Sequence, residues 1–194
     1  FCSYCDKIHW DRSIDGIVGK AFWSQMTNHY YAFGSLCRGE IDPASDIDLL
    51  ACISTARPEI DPKKFSIYTY ERLEKLWREG NPFAWHLHLE SRLIFSSDGS
   101  DFLTELGVPS AYSRSSEDCV KFRKLFTESY KALTKSQNSA IFHLSCMFLA
   151  TRNFATCYSF NKGQPIFSRN SPLLIDQRLP ISDNLFEVFA RARI

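Results

Sequence analysis

Apolar positions along the chain change their spacing several times, and each change marks an element. Ile14, Ile17, Val18, Ala21, Phe22 and Met26 recur at helical spacing after Asp11-Arg12-Ser13, which predicts a helix over residues 11–28. Tyr30 to Phe33 reads as a short strand that stops at Gly34-Ser35. A polar, Pro-containing turn, Glu40 to Ser45, then leads into Asp46-Ile47-Asp48-Leu49-Leu50-Ala51-Cys52-Ile53. That segment alternates acid and apolar before becoming wholly apolar, the pattern of a central strand. Pro58 to Lys64 reads as a loop, Phe65 to Tyr70 as a third strand and Glu71 to Glu79 as a helix. Trp85 to Phe95 reads as extended, with His86, His88 and Glu90 on one face and Leu87 and Leu89 on the other, up to the break at Ser96 to Ser100.

The rhythm changes after Ser115. Ser116-Glu117-Asp118 opens a helix with Val120, Phe122, Leu125, Phe126 and Tyr130 on its apolar stripe. A second long helix, about Asn138 to Tyr158, is apolar nearly all round and is expected at the centre of a bundle; a last helix begins near Ser182. The expected class is therefore α+β: a small mixed-sheet domain over residues 1–112 followed by a helical bundle over 113–194.

Composition narrows the function classes. The formal net charge of +1 carries no broad electrostatic footprint for nucleic acid, although a local basic patch is still allowed. Lys121, Arg123, Lys124 and Lys131 on the first bundle helix read as a solvated face, one of which could meet a triphosphate if that helix borders the active cleft. No run approaches the roughly 18 apolar residues of a membrane span, and no secretory signal is visible. Seven cysteines, mostly inside apolar stretches, suit reduced thiols in a cytoplasmic protein better than a disulfide framework. Cys2 and Cys5 form one C-x-x-C, which His9 could extend, but a four-ligand zinc site would need a second pair.

The candidate chemistry lies in Gly34-Ser35-Leu36-Cys37-Arg38-Gly39-Glu40-Ile41-Asp42-Pro43-Ala44-Ser45-Asp46-Ile47-Asp48. A strand running into a Gly-Ser turn offers backbone N–H groups and a hydroxyl to phosphate oxygens, and glycine lets the backbone approach closely. Asp46 and Asp48, two residues apart on a strand, share a face and can hold hard cations together with a triphosphate. A buried strand that begins with two acids has no packing reason to do so. The alternative is a solvated strand end after a turn.

Gly-Ser, ten residues, then Asp-x-Asp resembles the signature of the polymerase-beta-like nucleotidyltransferase superfamily, particularly its minimal branch. Arg38-Gly39 and Ser45-Asp46 fit that branch, and Gly80 to Leu87 looks like a stretch that follows the third strand in some relatives. The resemblance implies transfer of a nucleoside monophosphate from a nucleoside triphosphate, ATP first among them, to a hydroxyl of a small molecule or a protein, with release of pyrophosphate. It implies that Gly34, Ser35 and Ser45 bind the nucleotide, that Arg38 lies near phosphate or incoming substrate, and that Asp46 and Asp48 hold two Mg²⁺ ions. Many members add a third carboxylate on a neighbouring strand. The expected third strand offers Ser66 and Tyr68 but no acid, and Asp61 stands upstream in a loop. Glu90 is the better candidate, its alternative being a solvent-facing edge position. His88 reads as a base or, more simply, as a structural histidine. Lack of a working third acid would leave a nucleotide-binding regulatory module, antitoxin-like in kind.

The helical half is similar to two arrangements in the superfamily, the substrate-binding bundle of aminoglycoside nucleotidyltransferases and the HEPN bundle. Phe167 to Pro172 also looks like a stretch found after the second helix of such bundles. HEPN ribonucleases carry Arg, four residues, then His; here Arg152 is followed at that spacing by Cys157, which cannot replace imidazole in RNA cleavage. No HEPN-type ribonuclease activity is expected, and Arg152 reads equally as a bundle residue paired with a carboxylate.

Overall fold

The computed structural model describes residues 27–40, 47–55, 59–136 and 138–191. The chain divides into two compact units, the first ending at Ser110 and the second beginning at Ala111. Nearly all of the helix expected over residues 11–28, and the candidates Ser45 and Asp46, lie outside the described residues. The last position of that helix does not: Asn28 already belongs to a strand.

Among the described residues, the first unit is a four-stranded mixed sheet with α2 (Tyr70–Arg78) and α3 (Pro82–Glu90) packed on one face. Its strands are β1 (Asn28–Phe33), β2 (Asp48–Ile53), β3 (Phe65–Thr69) and β4 (Ser91–Ser96), in the spatial order β3-β2-β1-β4. β1 is antiparallel to both β2 and β4, whereas β2 and β3 run parallel. The apolar run in β2 is explained by two-sided burial. Leu50 and Cys52 join Tyr31 and Phe33 of β1 under α2 (Tyr70–Arg78) and α3 (Pro82–Glu90), against Leu73, Leu76, Trp77, Ala84 and Leu87. Ala51 and Ile53 pack on the opposite face with Ile60, Tyr30, Phe65 and Ile67. Leu50, Leu73 and Leu87 are fully buried, each stabilising the fold by about 1.5–3 kcal/mol relative to exposure.

Local chemistry starts both helices. The Thr69 hydroxyl accepts from Arg72 N at 3.2 Å, and Asn81 Oδ1 accepts from Phe83 N at 2.8 Å with Pro82 following as the first helical residue. This second cap overturns the expectation of an extended Trp85 to Phe95. The segment is helical to Glu90 and becomes strand only at Ser91. Its apparent period of two arises because Ala84, His86 and Leu87 are all buried, so α3 has no single polar face to reveal a helical period.

A polar cluster fastens β1 to the turn after β4. The buried His29 contacts the Tyr70 hydroxyl through Nδ1 (2.8 Å) and the Ser100 hydroxyl through Nε2 (3.0 Å), with Asp98 at 3.3 Å. Tyr31 donates to Asp101 Oδ1 (2.9 Å) and accepts from Leu103 N (3.1 Å) as the chain enters the one-turn helix α4 (Phe102–Glu105).

The second unit is helical: α5 (Ser115–Lys135), α6 (Ala140–Asn161), the one-turn α7 (Ser171–Leu174) and α8 (Asp183–Ala190). Tyr112 sits between Asp118, Cys157 and the ring of Phe160, joining α5 to α6, and Ser115 bonds Asn161. Another side of α6 meets α8 through Phe148, Phe186 and Ala190. Thr156 and Ser159 hold Ile166, Arg152 donates to the Phe167 carbonyl at 3.2 Å, and the Ser171 hydroxyl donates to the Arg152 carbonyl. Partners on several sides account for the apolar run from Met147 onward, whereas Ile141 and Phe142 near the start of α6 stay exposed. Among the described residues no helix is long and apolar enough to cross a membrane.

Candidate active site

The site is built at the end of β1. Antiparallel register sets Phe33 opposite Asp48 on one side and opposite Ser91 on the other. Gly34 follows at φ 76°, ψ −136°, a conformation that glycine alone adopts without strain. Its N–H donates to the Glu90 carbonyl at 3.1 Å. On its other flank, a Cβ added at Gly34 would lie 2.8 Å from Asp48 Oδ2. Gly34 is therefore bracketed by an acidic residue from each neighbouring strand or strand entry, and the lack of a side chain is what lets the Asp48 carboxylate close in.

Strand alternation gives Asp48 its direction. It shares a face of β2 with Leu50 and Cys52, the face covered by α2 and α3, but as the exposed first residue it leaves the apolar layer. Ser35 opens the single turn α1 (Ser35–Arg38), in which Cys37 N and Arg38 N donate to the Gly34 carbonyl at 3.0 and 3.2 Å. Gly39, in the left-handed conformation, ends it. The Cys37 thiol bonds the Ala32 carbonyl, and burial pushes its pKa up, with Glu90 adding to the rise while Arg92 and Arg38 oppose it. A thiol held protonated in this way is a packing group rather than a nucleophile.

Arg38 turns back toward carboxylates. Its Nη1 bonds Glu90 Oε2 and its Nε donates to Glu40 Oε2 at 3.0 Å. Glu90 Oε2 also lies 2.9 Å from His86 Nε2, one helical turn earlier on α3. That approach is a close polar contact and not an aligned hydrogen bond. The Arg38 and Glu90 side chains are only 18% and 14% exposed, so their pairing is screened less than a surface ion pair.

Gly34, Ser35, Arg38, Asp48 and Glu90 are thus brought together. His88 packs edge-on against Trp85, and Asp61 caps its own turn by accepting from Lys63 N. In β3, Tyr68 packs on Phe83, and no residue of that strand is acidic. Sequence reasoning missed the partners of Glu90. The i, i+4 relation to His86 was hidden by reading α3 as extended, and the pairing with Arg38 spans 52 residues.

Residues 21–119, just over half of the chain, match the family model of the nucleotidyltransferase domain. The chain belongs to that family. The polymerase-beta-like signature over residues 34–48 and the mixed sheet that carries its described part agree with it. No curated protein matches the chain. Nucleotidyltransferase domains transfer nucleotidyl groups from nucleoside triphosphates and typically work with divalent metal ions.

The donors present suit such an ion. Asp48 supplies hard carboxylate oxygens at an exposed strand start, beside a cradle that a Cβ would fill. Among the described residues there is no group of three or more His, Cys, Asp or Glu able to enclose a metal. A magnesium-type ion does not need one, because it takes one or two carboxylates and completes its shell with water and phosphate oxygens.

Proposed function

We propose that this nucleotidyltransferase domain moves a nucleoside monophosphate from a triphosphate, ATP being the first to test, to a hydroxyl on a small molecule or a protein side chain, releasing pyrophosphate. The observation that carries the reading is the bracketing of Gly34 between the Asp48 carboxylate and Glu90 at the end of β1.

Asp46 and Asp48 would hold two Mg²⁺ ions, which when bound supply charge neutralisation along the line of displacement. Gly34 contributes space rather than a donor, since its N–H is already given to Glu90. The Ser35 and Ser45 hydroxyls are the donors assigned to phosphate oxygens. Arg38 uses Nε and Nη1 on carboxylates, so Nη2 is the edge assigned to the triphosphate. Glu90 is assigned the proton of the attacking hydroxyl, the task of the third carboxylate. A near-neutral chain favours a small-molecule or protein acceptor over nucleic acid. The five described cysteines, all free, suit the cytoplasm.

The test is pyrophosphate release and label transfer from each labelled nucleoside triphosphate with Mg²⁺, beside the Asp46→Ala/Asp48→Ala double variant. Release that vanishes in the double variant supports the transferase. Triphosphate binding with no release across a panel of acceptors favours a regulatory nucleotide-binding module instead.

A further inference from the structure

We infer that His86 is a positioning residue for Glu90, and that it couples this carboxylate to the strand end carrying Gly34. The inference rests on the transferase reading above and extends it to a residue outside the signature.

His86 is 6% exposed and lies on α3 one turn before Glu90. Its imidazole makes two contacts that belong to different halves of the site. Nε2 is 2.9 Å from Glu90 Oε2. The ring also packs edge-on against Phe33, with centroids 5.6 Å apart and planes at 82°. Phe33 immediately precedes Gly34 and is the residue that register places opposite both Asp48 and Ser91. One rigid side chain therefore touches the aromatic that seats the Gly34 turn and the carboxylate assigned to the acceptor hydroxyl.

The distribution of contacts over the two oxygens matters. Arg38 Nη1 and His86 Nε2 both approach Oε2 of Glu90. A carboxylate whose one oxygen is paired to Arg38 of α1 and lies against the imidazole edge of its own helix presents the other oxygen at a restricted angle. Glutamate has three side-chain torsions, and a general base must be held within hydrogen-bond reach of the proton it takes. Arg38 alone is a long side chain that also serves Glu40. His86, buried and wedged against Phe33, is the stiffer of the two anchors. A histidine needed only for packing at this depth would have no use for a carboxylate 14% exposed.

Two polar substitutions separate positioning from packing. His86→Gln places an amide nitrogen near the position of Nε2, within reach of Glu90 Oε2. His86→Asn carries the same chemistry at shorter reach and loses it. With the wild type turning over, kcat of His86→Asn is expected to fall about ten-fold or more, from misplacement of a reacting group. The triphosphate KM should stay within about two-fold, and His86→Gln should recover most of kcat. Independently of turnover, the imidazole ¹⁵N signals of His86 at fixed pH, without metal, should move on Glu90→Gln. Equal kcat in the Gln and Asn variants, a change confined to KM, or ¹⁵N signals indifferent to Glu90→Gln would each overturn the positioning role. An inactive wild type whose ¹⁵N signals still respond would instead sink the transferase reading, and the positioning role with it.

Discussion

Gly34→Ala, compared with Gly39→Ala, separates two costs that usually come together. Both glycines have positive φ, 76° and 74°, but Gly39 (ψ 14°) is left-handed helical, where an alanine costs about 1–2 kcal/mol, whereas Gly34 (ψ −136°) lies outside that region and an alanine there costs more. For a chain of this size the Gly39→Ala cost corresponds to a loss of roughly 2–8 °C in Tm, and Gly34→Ala should fall further. Their surroundings differ. A Cβ at Gly39 meets nothing within 4 Å, whereas at Gly34 it sits 2.8 Å from Asp48 Oδ2, well inside the 3.4 Å where ordinary contact begins. The clash is with the tip of a side chain, which can rotate away at little expense to the fold. Rotation, however, swings the carboxylate out of the place assigned to the metal. A shift of this order at a reacting centre costs about 100-fold in rate, or ~2.7 kcal/mol in barrier. Pyrophosphate release and thermal melting of the two variants, run side by side and assayed well below both midpoints, should show a rate loss confined to Gly34→Ala. Equal rates in both, measured on folded protein, would refute the argument that Gly34 exists to admit Asp48.

Asp48→Asn removes charge at an exposed strand start, so Tm should change by less than about 2 °C while turnover falls by 100-fold or more; a fall below about ten-fold would remove Asp48 from the chemistry. Tyr31→Phe deletes the hydroxyl that serves Asp101 and the buried Leu103 N–H, and should cost about 2 kcal/mol, seen as a Tm lower by roughly 4–8 °C. Asp98 is held down to about 2 by the Ser100 N–H and then by the Ser96 and Ser100 hydroxyls. Its folded pKa is below the unfolded value, so its contribution is present above about pH 4 and lost as pH falls toward 2. Urea midpoints of wild type and Asp98→Asn should therefore differ at pH 5 and converge near pH 2.5; a constant gap would count against it. Burial pushes the Cys157 thiol up to about 12, so it should resist iodoacetamide at pH 8 until the second unit is unfolded, as mass spectrometry of labelled peptides would show.

What was legible in the sequence, and what was not, divides along the range of the interactions involved. β2 could be read because both its signals are local. Two acids at i and i+2 precede an apolar run, and strand alternation carries Asp48 onto the face of Leu50 and Cys52 without knowledge of any partner. Gly34 was legible for the same reason, as a break between two runs, although the need for glycine came to view only with Asp48 beside it. α3 was misread because periodicity requires an exposed face as reference. With Ala84, His86 and Leu87 all buried, the alternation from His86 to Glu90 imitates a strand; the Asn81-Pro82 start, a signal for a helix, carried the better information. The ion pairs of Glu90 are a third kind. Arg38 and Glu90 meet because β4 pairs with β1, a register that depends on the whole sheet, and no spacing in the chain announces it. A signature can therefore nominate the residues assigned to substrate, since they share one local frame around the strand end. The residues that aim them come from wherever the sheet happens to bring another element, and here that element is α3. For this reason the His86 and Glu90 variants test the site more sharply than another substitution inside the signature, where loss of activity would follow from any nucleotidyltransferase mechanism.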